Sequence, residues 1–149
     1  MPSDLGSDFR DLLRVFIDRE VRFLVVGGYA VAVHGRPRAT GDLDVWIDCT
    51  DENAGLAFAA LADFGAPMTD LTREDLATPG VVFQIGQPPL RIDVLTRLTG
   101  VGFESAWENR SHADFEGIQV PVIGRADLIT NKRALGRARD LADVEDLEG

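Results

Sequence analysis

The chain has 149 residues, a formal net charge of −10, 45% hydrophobic and 27% charged residues. That length suits a single domain over residues 1–149, able to bury about two-thirds of its unfolded surface without staples. The acidic balance excludes a broad nucleic-acid-binding face while allowing a local one.

A lone cysteine, Cys49, excludes an internal disulfide and reads as a core residue. The start of the chain is polar and acidic, and its longest apolar run, Phe23 to Val33, is broken by Gly27 and Gly28. Both features lead to the expectation of a soluble cytoplasmic protein with no membrane association.

Residues 4–19 place Phe9, Leu12, Leu13, Phe16 and Ile17 at helical spacing, which predicts an amphipathic helix covering a sheet. Residues 21–26 read as a buried strand, and Gly27-Gly28 turns the chain into a short apolar helix from Tyr29 to His34. His34 reads as a helix-end packing residue. Pro37 keeps the following loop out of helix. Residues 42–48 alternate with period two, with Leu43, Val45 and Ile47 on one face and Asp42, Asp44 and Trp46 on the other.

Thr50 is a good N-cap for a helix through Asp51 to Phe64, ended by Gly65. Residues 71–77 predict a shorter helix opened by Thr69 or Thr72. Residues 81–85 and 90–96 form a hairpin whose second strand carries Asp93 among apolar neighbours. A short helix over 103–109 and strands over 112–115 and 119–123 follow. The C-terminal run reads as two helices hinged near Gly136, with Asp140 and Asp143 as an N-cap and a partner for Arg137 or Lys132.

Two carboxylates two residues apart on a strand are about 6.6 Å apart along the chain. They can lean onto one divalent cation, or a pair about 4 Å apart, if a third acid arrives from a neighbouring strand. Asp93 is the candidate for that third acid. Oxygen-only ligands suit magnesium, which completes its shell with water and phosphate. Upstream, a strand, a glycine turn and a helix start present free N–H groups and partial positive charge, a way to hold phosphates with the backbone. Lys132 is the single lysine beside fourteen arginines, which suggests that a compact ammonium is wanted there, as for a phosphate.

Taken together, Gly27-Gly28, Asp42-Leu43-Asp44 and Asp93 resemble the glycine-pair, paired-aspartate and third-aspartate signature of the DNA polymerase β-like nucleotidyltransferases. The run from Gly27 to Asp44 resembles small bacterial AbiEii-like (type IV toxin–antitoxin) members, and the spacing after Lys132 resembles their closing segment. The resemblance implies an α/β (α+β) nucleotidyltransferase fold, a small mixed sheet with helices mainly on one face. It implies a magnesium-dependent enzyme, with two ions, that transfers a nucleoside monophosphate from a nucleoside triphosphate to an acceptor.

In that reading Asp42, Asp44 and Asp93 are catalytic and hold the metal, while Gly27, Gly28, Arg38, Thr40 and Lys132 bind the nucleotide. The acceptor stays open between tRNA or protein, as for a toxin, and a small molecule such as an aminoglycoside or lincosamide. A non-catalytic nucleotide-binding partner protein is a further alternative. Only 56 residues follow Asp93, so a partner protein or a homodimer is expected to complete the acceptor cleft.

Overall fold

The computed structural model describes residues 2–37, 40–87 and 89–149, with side chains from residue 8 onward. In chain order the elements are α1 (Pro2–Asp18), β1 (Phe23–Val26), α2 (Gly27–His34), β2 (Asp42–Ile47), α3 (Asp51–Phe64), α4 (Arg73–Leu76), β3 (Val82–Gln87), β4 (Leu90–Leu95), α5 (Phe103–Glu108), β5 (Ser111–Phe115), β6 (Ile118–Val122), α6 (Arg125–Leu135) and α7 (Ala138–Glu148). The strands form one six-stranded sheet in the order β3-β4-β2-β1-β6-β5. β2 runs parallel to β4 and β1 parallel to β6, while the remaining neighbours are antiparallel. The expected mixed α/β sheet is therefore present.

Period-two alternation decides which face each strand buries. Leu43, Val45 and Ile47 of β2 are fully buried, and β1 places Phe23 and Val25 beside Ile47 and Val45 on that same face. α1 covers it with the stripe Phe9, Leu12, Leu13 and Phe16, all buried, and the Phe16 ring meets Phe23 edge-on at 5.3 Å. α3 packs against α1, and its inner residues Ala54, Ala57, Ala60 and Leu61 are fully buried.

Thr50 caps α3 by accepting from the Asn53 backbone N–H at 3.3 Å. The buried Asn53 side chain then ties the helix start to the sheet. It accepts from Arg22 N at 2.7 Å and donates to the Arg22 and Asp48 carbonyls at 3.0 and 2.7 Å. A buried amide satisfied in this way fixes α3 against the ends of β1 and β2 without leaving a polar group unpaired.

Three local expectations change. α2 starts at Gly27 itself rather than at Tyr29, because Gly27 takes a left-handed φ of +67° that swings the chain directly from strand to helix. α4 is confined to Arg73–Leu76, since Thr72 and Asp75 close a capping box that sets its start. Cys49 is half-buried rather than core, because β2 ends at Ile47 and Cys49 lies in the connection to α3. No helix among the described residues is long and apolar enough to cross a membrane.

The opposite sheet face carries Asp42, Asp44 and Trp46. Phe103 of α5 lies 5.0 Å from Trp46 and shields it, so the tryptophan is buried while the two aspartates beside it line an open cavity.

Candidate active site

Parallel pairing of β2 with β4 puts Asp42 opposite Arg91 and Asp44 opposite Asp93. Directly paired residues share a face, about 4.8 Å apart across the ladder. On the other side of β2, Val26 pairs with Asp44 in antiparallel register, so the chain enters the glycine turn right beside that aspartate. A Cβ at Gly27 would lie 2.2 Å from Asp44 Oδ2, and one at Gly28 would lie 3.2 Å from Thr40 Oγ1. The first glycine is thus required by the carboxylate packed against it as well as by its φ. Thr40 Oγ1 accepts from Asp42 N at 3.3 Å and holds the start of β2 in place.

Lys132 approaches from α6. It is only 8% exposed, and its amine lies 3.1 Å from Asp143 Oδ2 and 3.7 Å from Asp140 Oδ1, both on α7. Asp140 is fully buried and is gripped by Arg137, whose Nε and Nη2 donate at 2.5 and 3.1 Å and whose backbone N donates at 3.2 Å. Those hydrogen bonds hold the Asp140 carboxyl below the usual carboxylate range. The expected pairing with Arg137 and Lys132 is present, but Arg137 occupies the N-cap position and Asp140 lies three residues on.

Gly27, Gly28, Thr40, Asp42, Asp44, Asp93 and Lys132 line one cavity of about 530 Å³. That size is within the range of small-molecule sites. Of the residues expected at the site from the sequence, Arg38 alone lies outside the described residues. His34 takes no part in the cavity; its Nε2 lies 2.7 Å from the Ile123 carbonyl, which anchors the end of α2. Sequence reasoning missed Arg91, Leu95, Arg137 and Arg139 as lining residues. Arg91 carried a usable signal, since period-two alternation puts it on the Asp93 face of β4.

Electrostatics across the block are unbalanced. Burial, then the nearby carboxylates of Asp93 and Asp42, push the Asp44 carboxyl up to about 6 against the opposing pull of Arg91 and Lys132. Burial also raises Asp93, with Arg91 opposing and Asp42 adding to the rise. Arg91 Nε lies 3.2 Å from Asp93 Oδ1, yet the pair lacks hydrogen-bond alignment, and both atoms are buried without a hydrogen-bond partner.

A carboxylate oxygen left unpartnered, two acids raised by burial and by neighbouring carboxylates, and an oxygen-only donor set fit a hard divalent cation. Among the described residues, no three acidic, imidazole or thiol groups are gathered closely enough to form a finished metal cage. Arg91 occupies part of the space between Asp42 and Asp93.

The six-stranded mixed sheet with its helices matches the fold of solved nucleotidyltransferase structures. The lincosamide antibiotic adenylyltransferase LnuA, solved with lincomycin bound, superposes with a TM-score of 0.61 over 96% of each chain at 15% identity. The nucleotidyltransferase candidate TM1012 from Thermotoga maritima gives a TM-score of 0.61 at 14% identity, over 92% of this chain and 88% of its own. An antigenic nucleotidyltransferase-like protein from Paracoccidioides brasiliensis gives 0.53 at 15% identity, over 97% and 73%. No family model matches the chain, and no curated relative matches it. Likeness at this identity establishes the fold, and function has to be argued from the site.

Proposed function

We propose that the protein transfers a nucleoside monophosphate from a nucleoside triphosphate to an acceptor and releases pyrophosphate. The observation that carries this reading is the convergence of Asp42, Asp44, Asp93, Gly28 and Lys132 on one cavity of a nucleotidyltransferase-type sheet. The N–H groups of Gly27 and Gly28 at the start of α2 receive the β- and γ-phosphates. Thr40 braces that turn, and Arg38 with Lys132 offsets the negative charge of the triphosphate.

Asp42, Asp44 and Asp93 would hold a magnesium pair, and bound magnesium would supply charge neutralisation at the reacting phosphate. As the acceptor oxygen bonds to the α-phosphorus and the bond to pyrophosphate breaks, Asp93 takes the acceptor proton. Positioning and preorganised charge carry most of such a step.

The acceptor in this reading is tRNA or protein, as in a toxin-like enzyme, and its support is the run from Gly27 to Asp44. A small-molecule acceptor is the second reading, favoured by the end-to-end match to LnuA, whose solved form holds lincomycin. Incubation with each triphosphate, magnesium and candidate acceptors, followed by intact-mass analysis, tests both. One acceptor class should gain the mass of a nucleoside monophosphate with stoichiometric pyrophosphate. Absence of triphosphate binding together with absence of pyrophosphate release would overturn the proposal.

A further inference from the structure

The two rungs that join β2 to β4 on the cavity face differ in sign. Asp42 faces Arg91, an attractive pair, whereas Asp44 faces Asp93, a like-charged pair that is unfavourable by itself. Arg91 serves both rungs. Its Nη2 lies 3.6 Å from Asp42 Oδ2, and its Nε lies 3.2 Å from Asp93 Oδ1 on the diagonal.

Neither contact is the aligned, two-pronged geometry that a guanidinium makes with a carboxylate or a phosphate. Arg91 Nε and Asp93 Oδ1 face one another while buried, and neither has a hydrogen-bond partner. The side chain is still 31% exposed and lines the same cavity as Gly28 and Lys132. One guanidinium therefore answers two carboxylates, in a geometry poor enough to be given up when a better cation arrives.

We propose that Arg91 is a resident counter-ion that holds the place of the metal between Asp42 and Asp93, and that it moves to the triphosphate when metal and nucleotide bind. The inference rests on the metal-and-nucleotide reading above and adds a coupling to it. Metal alone must displace Arg91 and leave its charge without a partner. Metal arriving with a triphosphate displaces the same guanidinium onto phosphate oxygens, which suit its planar fork. The two ligands therefore bind cooperatively, and by linkage each tightens the other by the same factor. Without nucleotide the acids stay paired, and the site holds a divalent cation weakly.

The test uses the full chain, with manganese as the probe followed by electron paramagnetic resonance and no nucleotide present. Affinity for a non-hydrolysable triphosphate analogue with magnesium is then measured by calorimetry. Arg91→Met keeps an apolar stem without the charge, and Arg91→Gln serves if the methionine variant does not fold by circular dichroism. The expected signature is a pair of opposite changes in one variant: manganese alone binds about tenfold more tightly, and the analogue with magnesium binds about tenfold more weakly. Asp44→Asn, titrated in parallel, separates the two levels of the argument. If Asp44→Asn abolishes manganese binding while a folded Arg91 variant binds manganese no more tightly than the parent, the counter-ion role is overturned and the metal site stands. If neither the parent nor an Arg91 variant binds manganese, or if Asp44→Asn changes nothing, the metal reading fails and this inference fails with it.

Discussion

Burial, followed by the carboxylates of Asp93 and Asp42, raises the Asp44 carboxyl from 3.8 to about 6, so the folded state binds its proton more tightly than the unfolded chain does. The stability contributed by that protonated carboxyl is fully present below about 3.8 and is lost as pH rises through about 6. At neutral pH the ionised group opposes folding. Asp44→Asn should therefore stabilise the protein at pH 7, on the order of 1–2 kcal/mol once solvent screening is allowed for. The advantage should close towards about pH 4. Urea denaturation of both proteins at the two pH values checks this, and a parent more stable than Asp44→Asn at pH 7 would sink it.

Lys132 is the complementary case. Its amine sits between Asp140 and Asp143 and still exerts a lowering pull on Asp44. Lys132→Ala should reduce transfer on the order of a hundredfold, as loss of one oriented charge does. Lys132→Arg should restore only part of the rate, because a planar fork replaces a compact ammonium poorly. Single-turnover rates on proteins matched for folding by circular dichroism decide the matter. Equal rates in the parent and Lys132→Ala would remove the lysine from the site.

Among the elements, the turn from β1 into α2 is the most constrained. Gly27 combines a φ of +67° with a carboxylate oxygen 2.2 Å from where a Cβ would sit, whereas Gly28 meets only the hydroxyl and methyl end of Thr40. The two positions should respond differently. Gly27→Ala should cost about 1–2 kcal/mol through left-handed backbone strain and should push Asp44 out of line. Gly28→Val should leave the fold largely intact, displace Thr40 and weaken triphosphate binding. Thermal melts and calorimetry on the two variants separate these effects. Unchanged triphosphate affinity in a folded Gly28→Val protein would argue against the phosphate cradle.

Across the whole molecule, the site depends on a sheet covered on one face by α1 and α3 and opening on the other at the cavity beside Asp42 and Asp44. Phe16 is fully buried and meets Phe23 edge-on, so it links α1 to the strand that leads into the glycine turn. Phe16→Ala should cost about 3–5 kcal/mol through lost burial and the cavity it leaves. That is a large share of the stability of an ordinary domain. Chemical denaturation should show the loss, and triphosphate affinity should fall only where the unfolded fraction becomes appreciable. A loss under about 1 kcal/mol would mean that the region around Phe16 collapses to fill the space.

Much of this arrangement is local and was legible in the sequence. Period-two alternation assigns Asp42 and Asp44 to the face opposite Leu43 and Val45, and helical spacing assigns Phe9, Leu12, Leu13 and Phe16 to one stripe. Thr50 and Gly65 mark the ends of α3 because a cap is read within one turn of its helix. Alternation also makes Asp93 a face-sharing candidate, yet it cannot say which residue of β2 stands opposite. That depends on register between strands separated by α3, α4 and β3, and register is settled only when the packing of both faces is satisfied together. Tertiary structure alone therefore set Arg91 against Asp42, crowded Asp44 against Asp93, packed Gly27 onto a carboxylate and brought Lys132 from α6 to the same cavity. Each of these is a contact between distant segments, made by side chains whose charge and burial exist only once the sheet has closed.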